Sequence, residues 1–109
     1  MSSQVVILSI TFPDRDSAMQ IGQLLVDRHL IACAQLLPIH SVFRWEGKVQ
    51  SEDEVLLQGK TTEQQLTAIE ALIKQHHSYD VPEMIATPVV WGHQPYLDWV
   101  ETETGNPSA

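Results

Sequence analysis

Cysteine is almost missing from this chain. Cys33 is the only one in 109 residues, so no intrachain disulfide can form, which fits a reducing compartment. Basic residues are scarce too: 6 Lys and Arg stand against 14 Asp and Glu, a formal net charge of −8, with no local basic patch. Nucleic acid and membrane surfaces of anionic lipid are therefore poor partners. Long hydrophobic runs are absent. The apolar run Val5–Ile10 is too short for a signal or a membrane span, and the opening MSSQ carries no basic segment, so the expected location is cytoplasmic. There is no phosphate-cradling glycine loop, no Cys–His or Ser–His pattern and no spaced zinc motif. No enzymatic activity is expected from such a set.

What remains is ordinary globular material, 43% hydrophobic and 18% charged, enough for one two-layer domain over residues 1–109. VVILSITF, Val5–Phe12, is a β-prone run suited to a strand buried on both faces. Pro13-Asp14 stops it, and Asp14 or Asp16 can cap a helix whose stripe is Ala18, Ile21, Leu24 and Leu25. That helix ends near Arg28-His29, where cations complement its negative end. A second strand starts around Ile31-Ala32-Cys33, is expected to bulge at Pro38, and resumes as HSVFRW. Glu46-Gly47-Lys48 connects it to a returning strand that ends in EVLLQGK.

Strands of more than a dozen residues span about 40 Å at roughly 3.3 Å per residue. A domain of this size has a radius of gyration of about 13 Å. The hairpin must overhang its own core, and its apolar edges call for an oligomer. Thr62-Glu63-Gln64-Gln65 fits a capping box ahead of the stripe Leu66, Ile69, Leu72 and Ile73. EMIATPVVW is a last strand, with Pro88 at an edge or bulge. HQPYLDWVETET is a final helix with Pro95 in its first turn, presenting Tyr96, Leu97, Trp99 and Val100. The ordered part is expected over about 4–103, with 104–109 a flexible tail. The order βαββαβ plus a C-terminal helix gives an α+β, ferredoxin-like sandwich with a long β-hairpin.

Taken in order, TFPD, LIACAQLLP, WEGK, EVLLQGKT, HSYDVPE and GHQPYLDW resemble the CutA family of divalent-cation-tolerance proteins, over about Val5 to Val100. The resemblance implies a homotrimer similar to PII signalling proteins, with strands pairing across subunits. It also implies a part in tolerance of copper and other divalent metals; in animals, members are linked to anchoring a cell-surface esterase. No agreed enzymatic activity comes with it. Two positions depart from the family pattern. Ile10 stands where a bacterial member has a cysteine metal ligand, and Ser78 stands where proline is usual. His76 and His77 match the other copper ligands of such members. The resemblance therefore implies Cu(II) or another divalent ion, weakly held, with no organic cofactor.

From the residues alone, the adjacent pair His76-His77 has two readings. Imidazole is the commonest side-chain metal ligand and suits copper. Neighbours on a helix diverge by about 100°, however, so a site needs a third ligand such as Asp80, Glu83 or water. Otherwise the pair ends a helix and bonds its free carbonyls. Cys33, between two alanines, reads as a small packing residue. Trp91, Trp99 and Tyr96 read as core or interface aromatics. Trp45, Lys60, Tyr79 and Glu83 could line a cleft between subunits that takes a small anionic ligand, the signalling or scaffold alternative. Lys60 and Glu83 could equally form an ion pair across the sheet.

Overall fold

A computed structural model describes residues 4–105. The elements run β1 (Val5–Phe12), α1 (Arg15–Asp27), β2 (Cys33–Trp45), β3 (Lys48–Thr62), a 3-10 turn (Glu63–Gln65), α2 (Leu66–His76), β4 (Met84–Pro88) and α3 (Gln94–Glu103). The four strands form one antiparallel sheet in the order β2-β3-β1-β4, the ferredoxin-like arrangement. Alternation along the strands sorts residues between two faces. Leu8, Ile10 and Phe12 of β1 join Leu57 of β3 under α1 and α2, which contribute Ala18, Ile21, Leu25, Ile69, Leu72 and Ile73. On the other face α3 covers one end only, where Val100 packs with Val5 and Ala32. β1 is thus not sealed on both faces as its composition suggests, since Ile7 and Ser9 are half-buried.

The β2–β3 hairpin closes through a two-residue turn, Glu46-Gly47, both at positive φ (52° and 77°). This is the turn whose twist matches the flanking strands. From Trp45↔Lys48 to Cys33↔Lys60 the pairing never slips, and Pro38 sits directly opposite Val55. The bulge expected at Pro38 does not form. β2 is an edge strand, where a missing donor costs no internal ladder bond. The hairpin extends the molecule to 46 × 28 × 21 Å with a radius of gyration of 14.6 Å, beyond that of a compact chain of this length.

Two helix ends differ from the sequence reading. Thr62 makes no side-chain capping bond, because it finishes β3 opposite Val5 and a 3-10 turn intervenes before α2. At the end of α1, His29 adopts φ 59°, the left-handed position that usually falls to glycine. The N–H groups of His29 and Leu30 bond to Val26 O and Leu25 O. The His29 ring does not address the helix end; its Nδ1 meets Glu103 O at 3.1 Å, and Gly105 N–H donates to His29 O at 2.8 Å. Gly105 and Thr104, whose hydroxyl donates to Val100 O, are therefore tied down, while 106–109 lie outside the described residues.

The Asp14 cap forms as expected, its carboxylate accepting from Ser17 N–H at 2.8 Å. That bond, chiefly, holds the Asp14 carboxyl below its ordinary value of 3.8. Stability contributed by a depressed carboxyl is present above the unfolded value and lost as pH falls through the folded one. Asp14→Ala should melt below wild type at neutral pH, with the gap closing below about pH 4, whereas Asp14→Asn keeps most of the cap at every pH. Thermal melts of the three proteins between pH 7 and pH 2.5 measure this.

Candidate functional site

The stretch after α2 begins as a helix end. His76 is the last helical residue and is exposed, its ring making no hydrogen bond to any described residue. His77 turns to extended backbone, and its N–H closes the helix on Ile73 O at 2.8 Å. Its ring swings back over β1. Nε2 lies 2.7 Å from Thr11 O, and because a carbonyl only accepts, Nε2 carries the proton. Nδ1 is then the acceptor for Tyr79 N–H at 3.1 Å. The ring stacks on Phe12 at 4.6 Å and faces Tyr79 at 4.8 Å. His77 therefore has no free lone pair: to coordinate a metal it must release one of these bonds. The two histidines, alike in sequence, have separate roles, and only His76 is open to a ligand.

Tyr79 continues the chain of contacts. β1 ends at Phe12 opposite Val55, so Glu54 is the first residue of β3 with no β1 partner. Tyr79 reaches that position and donates its hydroxyl to Glu54 Oε2 at 2.7 Å. Burial, then the bond to Glu54, raises the Tyr79 phenol well above its ordinary value, with the carboxylates of Glu54, Glu52 and Asp14 adding to the effect. The phenol stays protonated and stays a donor. No local pattern signals this partnership, because Glu54 is brought to Tyr79 only by the sheet.

The four residues proposed as a cleft do not meet within one subunit. Trp45 stands at the hairpin turn, and Lys60 lies at the other end of β3, about 40 Å of strand away. Lys60 donates to Gln35. It stands opposite Ile7, whereas Glu83 precedes Met84, which is opposite Ile10. The Lys60–Glu83 ion pair does not form, since the strands place the two at different levels of the sheet. Cys33 is half-buried, with Sγ 3.4 Å from the Tyr96 hydroxyl. Burial, then that thiol, raises the Tyr96 phenol to about 12. Tyr96 and Trp99 pack at 5.6 Å, but Trp91 is 82% exposed.

Ile10, at the position of the missing cysteine ligand, is completely buried beneath the helices. Among the described residues of one subunit, no three His, Cys, Asp or Glu side chains converge on one point. The sole ion pair among them is one that the sequence reading overlooked, His40 Nδ1 with Asp53 Oδ1 at 2.8 Å. Counting back from the hairpin turn places these two residues opposite each other, and that was the available signal.

His77→Ala removes the partners of Thr11 O and Tyr79 N–H together with a stacked ring. It should destabilise the fold by about 2–4 kcal/mol, adding an unmet buried bond to lost packing. His76→Ala should change stability by less than about 0.5 kcal/mol. Denaturant unfolding of both variants measures the difference.

The family described as CutA1 divalent ion tolerance protein matches residues 6–103. The divalent-cation tolerance protein CutA of Thermus thermophilus is 37% identical over 100 residues, covering 91% of this chain and 97% of its own. A solved structure of the Thermus protein superposes with a TM-score of 0.90 at 36% identity, covering 93% of this chain and 99% of that one. CutA1 of Oryza sativa gives a TM-score of 0.91 at 36% identity, covering 95% and 96%. The chloroplastic CutA of Arabidopsis thaliana is 38% identical over 102 residues, 93% of this chain but 56% of its own. The chain thus spans little more than half the length of such plant relatives. A CutA structure from Archaeoglobus fulgidus, titled as periplasmic, superposes with a TM-score of 0.89 at 31% identity, covering 91% and 97%. With 6–103 matched and the sheet order, hairpin and third helix in place, the chain belongs to the CutA1 divalent ion tolerance family.

Proposed function

We propose that this chain serves divalent-cation tolerance as a cytoplasmic homotrimer that binds Cu(II), or another divalent ion, weakly at surface donors. The observation that carries the assembly is the unpartnered sheet. β2 and β4 are both edge strands, and the uncovered apolar residues include Leu37, Val42, Val49, Ile85 and Val90, the last 95% exposed. Edges of this length and composition are ordinarily paired or covered. A second subunit lying along them continues the sheet and buries Trp91. Only such a neighbour can bring Trp45 near Lys60, Tyr79 and Glu83. The scaffold reading, in which the trimer holds a small anionic ligand in that cleft, depends on this same assembly.

The metal part rests on the relatives' names and on His76. His76 keeps its ring lone pair for a ligand, and water with a carboxylate such as Asp80 or Glu83 completes the coordination. Imidazole nitrogen favours copper(II) over nickel and zinc. The location in the cytoplasm is supported by the single cysteine; relatives are named from the chloroplast and the periplasm.

Sedimentation at low micromolar concentration should give one species of three chains, and a folded monomer there refutes the assembly. Calorimetric Cu(II) titration of the wild type should show saturable binding that weakens in His76→Ala. A flat isotherm for the wild type removes direct metal binding and leaves the scaffold.

A further inference from the structure

The one His–carboxylate contact of the described residues lies on the β2–β3 hairpin and not at the end of α2. His40 and Asp53 are directly opposed on β2 and β3, each six residues from the nearer residue of the Glu46-Gly47 turn that fixes their register. Their side chains share a face and meet with Nδ1 and Oδ1 2.8 Å apart. Both remain open to solvent, at 58% and 94% side-chain exposure. An exposed pair of this kind contributes little to stability. The spacing has another meaning. Two cis ligands, each about 2.0 Å from one ion, stand about 2.8 Å apart.

We propose that His40 and Asp53 form a two-point chelate for a divalent transition-metal ion, with Cu(II) the best-suited of the series. The ion displaces the proton from Nδ1, the neutral ring keeping its one proton on Nε2 by exchange with solvent, and is held by Nδ1 and Oδ1 with water in the other positions. Nitrogen and oxygen donors at a near-right angle suit the tetragonal preference of Cu(II). The pair borders an open groove of about 550 Å³, walled also by Pro13, Pro38 and Val55, which leaves room for the water ligands. Glu52 and Glu54 flank Asp53 along β3, on the opposite face, and add negative potential without competing for the position. What distinguishes this pair from His76-His77 is geometry. The β-ladder holds the two donors side by side and within contact of each other, whereas the adjacent histidines diverge and one is committed to Thr11 and Tyr79.

The inference rests on the copper-binding reading above but names a different site, so the two can fail separately. The 109-residue chain is titrated with substoichiometric CuCl2 and followed by amide NMR, where copper broadens nearby signals. The wild type, His40→Ala, Asp53→Asn and His76→Ala are compared, with calorimetry for affinity. Both side chains are exposed, so the variants should melt with the wild type, and matching melts are the control. Expected is broadening centred on His40, Asp53 and their cross-strand neighbours, lost in His40→Ala and kept in His76→Ala. Affinity at that site should fall about tenfold in Asp53→Asn. Broadening confined to residues 74–80, or unchanged around the hairpin in His40→Ala, overturns this site while leaving copper binding in place. No copper binding to the wild type overturns both.

Discussion

The unbroken β2–β3 ladder decides where nearly every other group can go. Its thirteen pairs, from Cys33↔Lys60 to Trp45↔Lys48, hold one register because a two-residue turn admits no slack. A slip by one residue moves Leu36 and Leu57 off the face beneath the helices and turns Gln35 and Gln58 toward the core. The ladder also outruns β1, which stops at Phe12. Beyond that level β3 has a vacant side, and Tyr79 fills its first position by bonding Glu54. Further out, no helix of the same subunit covers the strands among the described residues, and His40 meets Asp53 with both side chains exposed. A buried core, a tethered loop and an open chelating pair follow one another along a single hairpin.

The end of α2 shows how a short stretch can divide its labour. His77 lies where the helix stops, and stacking on Phe12 fixes its ring before any ligand arrives. With Nε2–H committed to Thr11 O, the tautomer is set, and Tyr79 N–H takes the remaining lone pair. A lysine can only donate, and a glutamine offers both roles but no aromatic ring to stack on Phe12, so imidazole is the side chain that suits the place. His76, one residue earlier, is still on the helix and points elsewhere. The same divergence that makes adjacent histidines poor chelators lets each take an independent task.

Features set by neighbours in sequence were legible. The strand Val5–Phe12, the Asp14 cap, the stripe of α2 and Pro95 in the first turn of α3 all follow from local pattern and were read as they stand. Features that depend on distant chain were not. Pro38 suggests a bulge until β2 is known to be an edge, and Thr62 looks like a cap until β1 claims it for the sheet. His29 resembled a helix-end cation because its real partner, Glu103, lies 74 residues away. Lys60 and Glu83 looked like partners because strand order alone does not fix the level at which each begins. The candidate site divided in the same way: His76 and His77 were found by type, but which of them is free depended on Thr11 and Phe12.

Ile10 stands where the family resemblance puts a thiol ligand, and this bears on what kind of metal binding the fold can carry. A site under the helices could hold an ion tightly, out of water, but Ile10 packs at the centre of the core and leaves no room for one. Donors that remain available are on the surface, where water competes for every coordination position. The described residues of one subunit bring no closed set of three such donors together. Affinity at the surface must come from donors already held at the right separation, because ordering two free side chains costs each of them rotamer entropy. A cross-strand pair on a rigid ladder has most of that ordering done by folding. In a family whose relatives are named for tolerating divalent cations, weak and exchangeable surface binding fits buffering of an ion better than its retention.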